Sequence, residues 1–112
     1  MADCIFCKVV AGEIPAAIVK RTDRLVAFRD ISPQAPTHLL VIPTQHVASL
    51  EQVSDGALLG EMVLFARGLA REAGIAERGY RVVINTNPDG GQSVYHLHLH
   101  VLAGRRFAWP PG

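Results

Sequence analysis

Tyr95-His96-Leu97-His98-Leu99-His100-Val101-Leu102 alternates three imidazoles with aliphatic side chains. Strict alternation predicts a strand, with the imidazoles on one face and Leu97, Leu99 and Val101 on the other. One face is left for chemistry and the other for a core. Same-face residues lie about 7 Å apart along a strand, so neighbouring imidazoles can surround a small anion or a metal without all stacking on one another. The run holds three of the chain's five histidines, and histidine has no strand preference that would gather them there for structure alone.

Directly before this run stands Asp89-Gly90-Gly91-Gln92-Ser93. Glycines let backbone NH groups converge without side chains in the way, and such a nest binds anions. The same residues also suit a plain turn, which Asp-Gly favours by itself. Next to the histidines the anion reading gains weight: a phosphate held by the NH groups of Gly91 to Ser93 would lie within reach of the first imidazoles. A neutral imidazole is a good nucleophile toward phosphorus near pH 7. Flanking histidines can hold the nonbridging oxygens, where positioning and electrostatics do most of the work of transfer.

Upstream, Ile5 to Val10 predicts a short helical turn that Gly12-Glu13-Ile14-Pro15 ends. Ile18 to Thr22 and Leu25 to Arg29 read as a hairpin joined at Asp23-Arg24. Ser32 to Thr37 is a loop by its prolines, and His38 to Ile42 is an apolar strand stopped at Pro43. Ser54 or Asp55 can cap a helix whose apolar positions run from Leu58 to Ala73 at helical spacing, with Gly74 ending it. Tyr80 to Asn85 predicts another strand and Thr86 to Ser93 a loop. Five strands with one long helix and short connections indicate an α+β fold with a five-stranded antiparallel sheet.

A length of 112 residues suits one domain over residues 1–112 with one core. With 49% hydrophobic residues and a net charge of +1, bulk electrostatics points to no nucleic acid or membrane partner. No apolar run approaches the roughly 20 residues of a membrane span, and the first residues lack a secretory pattern, so a cytoplasmic location is expected. Cys4 and Cys7 form a Cys-x-x-Cys pair, which in a reducing compartment suggests a metal site or a redox pair before a structural disulfide.

His96-Leu97-His98-Leu99-His100-Val101-Leu102 resembles the His-x-His-x-His run of the histidine triad superfamily. Asp30 to His38, Gly90 to His96 and the terminal Trp109-Pro110-Pro111-Gly112 resemble its branch of histidine triad nucleotide-binding proteins. The resemblance spans Ile5 to Gly112. It implies a purine nucleoside phosphoramidate hydrolase acting on adenosine 5'-phosphoramidates and related conjugates, with no cofactor required for the chemistry. It also implies a histidine triad fold whose sheets join across a homodimer. His98 matches the nucleophile, His100 the holder of phosphate oxygens, Ser93 the hydroxyl near the leaving group, and His38 a supporting histidine. Asp30 matches the carboxylate for the ribose hydroxyls, Ile31 and Phe6 the base pocket, Asn85 the ribose and phosphate edge, and Gly91 and Gln92 the phosphate loop. Val9, Ile14 and Phe28 fall where the family builds the purine pocket, and the Trp109 segment where it reaches a partner's substrate site.

The cysteine pair departs from many members of this branch. Some bacterial relatives carry it and bind zinc with two histidines, at places that His46 and His96 match. Two thiolates and two imidazoles make a closed tetrahedral set suited to structural zinc. The alternative is packing of the cysteines as small apolar groups. Two rival functions stand beside the hydrolase: a nucleotide-binding regulatory module with little turnover, and a metal-dependent hydrolase in which the histidine strand supplies the ligands.

Overall fold

In the computed structural model, which describes residues 3–112, every strand pair is antiparallel. The strands are β1 (Ile18–Arg21), β2 (Leu25–Arg29), β3 (Thr37–Pro43), β4 (Tyr80–Val83) and β5 (Leu99–Ala103), in the spatial order β1-β2-β3-β5-β4. Three α-helices accompany them: α1 (Ile5–Ala11), α2 (Gly56–Glu72) and α3 (Asn87–Gly90). The α+β class and the five-stranded antiparallel sheet agree with the sequence reading.

Two layers of side chains cover the sheet, and they explain two kinds of sequence pattern. On one face Leu25, Ala27, Leu39, Val41, Leu99 and Val101 pack against Leu58, Met62, Ala66 and Leu69 of α2. On the other, Val26, Phe28, Leu40 and Ile42 pack against Phe6 and Val9 of α1. Strands β2 and β3 are thus apolar on both sides and read as continuous hydrophobic runs, whereas β5 keeps an alternating pattern because histidines occupy its α1-facing side.

Local chemistry sets the helix ends. The Asp55 carboxylate accepts from the NH groups of Ala57 and Leu58 and caps α2. Beyond the last turn Gly74 takes φ of +73° and Ile75 NH returns to Ala70 O at 3.0 Å. Helix α1, of seven residues, is too short to persist without tertiary support. It has that support at its start, where the Cys4 thiol accepts from Cys7 NH, and along its length through Phe6 and Val9.

Three expectations are corrected. The histidine strand does not begin at Tyr95: β5 starts at Leu99, because β3 ends at Pro43 and Leu97 NH turns to Val47 O at 2.7 Å instead of continuing the ladder. The predicted strand to Asn85 ends at Val83. The stretch from Thr86 is not all loop, since Asn87–Gly90 makes one helical turn with Pro88 in its first positions.

After β5 the chain turns at Gly104, whose φ is +95° and where an added Cβ would lie 2.7 Å from Pro36 Cβ. Both backbone conformation and space therefore require glycine. Gly104→Ala is expected to destabilise the protein by about 2 kcal/mol or more, read as a lower midpoint in urea unfolding. An unchanged midpoint would show that the Pro36 loop yields freely.

Candidate active site

A neutral imidazole gives one hydrogen and accepts one, so each ring's partners fix its tautomer. His98 Nδ1 lies 2.8 Å from the backbone oxygen of His96. A carbonyl only accepts, so Nδ1 carries the hydrogen and Nε2 keeps the lone pair. Gln34 NH donates to His38 Nδ1 at 3.0 Å, which puts the His38 hydrogen on Nε2. That hydrogen goes to His100 Nδ1 at 2.8 Å, leaving His100 with a hydrogen on Nε2, a buried atom without a partner among the described residues. The His38 and His100 side chains meet across the β3 and β5 ladder, where Leu40 opposes His100 and His38 opposes Leu102.

His98 and His100 open on a cleft of about 260 Å³. Its lining is mostly apolar, with Phe6, Val9, Ile14, Phe28 and Leu40, and also includes Asp30, Ile31 and Ser93. Phe6 meets the His98 ring edge-on, with centroids 5.2 Å apart. A mostly apolar lining with a few polar groups is the composition of a small-molecule site. Asp30 Oδ1 accepts from Ser32 NH at 2.8 Å, and Oδ2 lies 3.4 Å from His38 Nε2. A carboxylate has further acceptor positions beyond these. Ile31 is 95% exposed at the rim.

The glycine loop is a correction. Gly91 NH and Gln92 NH close α3 on Pro88 O and Asn87 O, so these two donors do not form an open nest. Gln92 is buried, its amide donating to Ala48 O and Val94 O while its oxygen accepts from Asn87 NH. It shapes the loop that carries Ser93. Asn85, Gly91 and Gln92 do not line the cleft, whereas Ile5, Ala16 and Val94 do. Trp109 is 83% exposed, away from the cleft of its own chain; Arg81 donates to the neighbouring Ala108 O.

His96 turns away from the cleft. Its Nε2 donates to Pro43 O at 2.8 Å, which directs a bare Nδ1 at three other ligand atoms. Cys4 Sγ lies 3.3 Å from it, Cys7 Sγ 3.6 Å and His46 Nδ1 3.2 Å, and Cys7 Sγ to His46 Nδ1 is 3.4 Å. Tetrahedral zinc with ordinary bond lengths sets edges of about 3.3 Å between two nitrogens and about 3.5 Å between sulfur and nitrogen. The four residues fit that ion, and the Pro43 carbonyl is the outer partner that such a histidine ligand needs. Burial pushes the Cys7 thiol above its ordinary value, with Cys4 beside it adding to the effect; a bound cation reverses such a shift. Asp30, His38 and His100 also converge, but the 2.8 Å contact of His38 with His100 is a hydrogen bond, shorter than the edge of about 3.3 Å that two nitrogens keep around zinc.

Burial lowers the proton affinity of His38, His96 and His100, and for His100 the value falls to about 4, with His98 and His38 adding repulsion. His100 is therefore neutral at pH 7. The unfolded chain takes up a proton on this ring below about pH 6.5, and the folded one does not until about pH 4. Its contribution is full above pH 6.5 and lost progressively as the pH falls toward 4. Unfolding free energies measured across that window should fall with pH, and less steeply in His100→Gln. Equal slopes would mean that His100 titrates normally.

Among the described residues no helix is long and apolar enough to cross a membrane. The family model for the HIT domain matches residues 11–107. Over 105 residues, 92% of this chain and 88% of the other, the sequence is 50% identical to the purine nucleoside phosphoramidase of Escherichia coli K12. A HIT family hydrolase from Legionella pneumophila superposes with a TM-score of 0.96 at 52% identity, covering 98% of this chain and all of the other. A zinc-bound histidine triad family protein from Mycobacterium smegmatis superposes at 0.85 with 30% identity, over 93% of this chain and 76% of that one. With a family match across most of its length and relatives of this closeness, the chain belongs to the HIT domain family.

Proposed function

We propose that the protein hydrolyses purine nucleoside phosphoramidates through a covalent nucleotidyl-histidine. The observation that carries this reading is the tautomer of His98: its Nδ1–H is engaged by the His96 carbonyl, so Nε2 holds a free lone pair on a residue of the cleft wall. The 50% identity to a purine nucleoside phosphoramidase supports it. In this reading Phe6 and its apolar neighbours take the base, and Asp30 accepts from the ribose hydroxyls with Ile31 at the rim. His98 Nε2 bonds to phosphorus while the P–N bond breaks, and the leaving nitrogen takes a proton from solvent water, passed through the Ser93 hydroxyl, to depart as the amine. The Nε2–H of His100, held by His38, donates to a nonbridging oxygen as charge develops there. Water then cleaves the N–P bond, releasing AMP and restoring His98.

Zinc held by Cys4, Cys7, His46 and His96 serves as a structural ion in this reading, tying α1 to the sheet. Two protomers join as a cytoplasmic homodimer through the β4 edge, and the Trp109 tail of each reaches its partner's cleft. The half-exposed Val63 and Leu64 of α2 and Val82 of β4 are the apolar surface that such an interface would cover.

His98→Ala is expected to lower turnover of an adenosine phosphoramidate by roughly 10³-fold or more and to abolish the adenylated protein seen by mass spectrometry after rapid quench. AMP affinity should change little. Near-parental turnover in the variant would remove His98 as nucleophile. Metal analysis should give one zinc per protomer, and Cys7→Ser should lower the melting temperature by roughly 10 °C, the shift that about 2 kcal/mol produces in a domain of this size. A stable, zinc-free preparation would return the cysteines to simple packing.

A further inference from the structure

Arg105 lies outside the cleft and is exposed, yet its guanidinium is committed to backbone carbonyls. Nε and Nη2 both donate to Gln34 O, at 3.3 and 3.1 Å. Its Nη1 donates to Arg106 O at 3.3 Å, and its Cζ stands 4.3 Å from the centre of the Phe107 ring. A cation stacked on an aromatic ring with its donors already aimed gives up little freedom on binding. The contact reaches the loop between β2 and β3, and Gly104 abuts Pro36 of the same loop. The turn after β5 therefore grips that loop at two places.

The gripped loop carries the NH group that, together with Asp30 Oδ2 at 3.4 Å from Nε2, sets the His38 tautomer. With Gln34 NH on His38 Nδ1, the His38 hydrogen lies on Nε2, His100 Nδ1 accepts it, and His100 offers a hydrogen from Nε2. If Gln34 NH moves away, His38 can carry its hydrogen on Nδ1 instead. His38 Nε2 then becomes an acceptor, His100 Nδ1 the donor, and His100 Nε2 a lone pair. A lone pair repels the phosphate oxygen that a hydrogen would hold. His98 is outside this chain of dependence, because its Nδ1 is fixed by His96 O.

We propose that Arg105 is a positioning residue that, by clamping Gln34, holds His38 and His100 in the tautomers that present a hydrogen to the substrate's phosphate. This rests on the hydrolase reading for its effect on rate but not for its effect on the rings. The test is ¹⁵N NMR of the imidazole nitrogens in the wild-type protein and in Arg105→Met, which keeps a stem over Phe107 and loses every donor. In the wild type, His38 and His100 should both carry the hydrogen on Nε2. In Arg105→Met the two should shift together toward the Nδ1–H form while His98 does not, and kcat for an adenosine phosphoramidate should fall about tenfold with KM nearly unchanged. Arg105→Lys, with one donor nitrogen in place of the guanidinium fork, should lie between them, and it serves as the test if the methionine variant does not fold. Wild-type ring signals in a folded variant overturn the proposal. Ring signals that shift as expected in a protein whose wild type hydrolyses no phosphoramidate uphold the clamp and overturn the hydrolase reading instead.

Discussion

The hydrogen on each buried imidazole has to be given to something, and in this protein the recipient or the competing donor is set by backbone. Pro43 O takes the hydrogen of His96, His96 O takes that of His98, and Gln34 NH occupies the one nitrogen of His38 that could otherwise bear it. Two kinds of chemistry follow from those three contacts. His96 is left with a bare nitrogen among thiols, His98 with a bare nitrogen at a cleft, and His100 with a hydrogen and no partner. Leaving a buried donor unpaired costs about 1–3 kcal/mol, and such an atom at the end of a cleft is poised for an acceptor brought by a ligand.

His96 ties the two sites together at a single residue. Its ring belongs to the Cys4, Cys7 and His46 cluster and its carbonyl to His98. A backbone shift at His96 therefore moves a ring of one site and a hydrogen-bond acceptor of the other together.

Much of this was legible from side-chain pattern. Alternation at Leu97, Leu99 and Val101 marked a core face, which the structure packs against α2, and the apolar run to Ile42 marked a strand, which the structure covers on both sides. The cleft wall of Phe6, Val9, Ile14 and Phe28 came from the family resemblance, as did the pairing of His46 and His96 with the cysteines; periodicity alone treats all of them as core or loop. What was not legible is carried by atoms that every residue has. Gln34 contributes an NH and Pro43 a carbonyl, so no residue type signals their role. The glycines at 90 and 91 misled for the same reason, because a loop rich in free donors and a helix end that consumes them share one composition.

The cleft is made of two materials with different permanence. Its floor is the central sheet, whose opening requires loss of the core around Met62 and Val41. Its wall is α1, a seven-residue helix that holds its place through Phe6, Val9 and the Cys4 and Cys7 thiols. A short helix held by so few contacts belongs to the kind of segment that opens at a lower free energy than a central sheet. A ligand packed on Phe6 would do more than fill space: it would join the wall to the floor and raise the wall's opening energy toward that of the whole molecule.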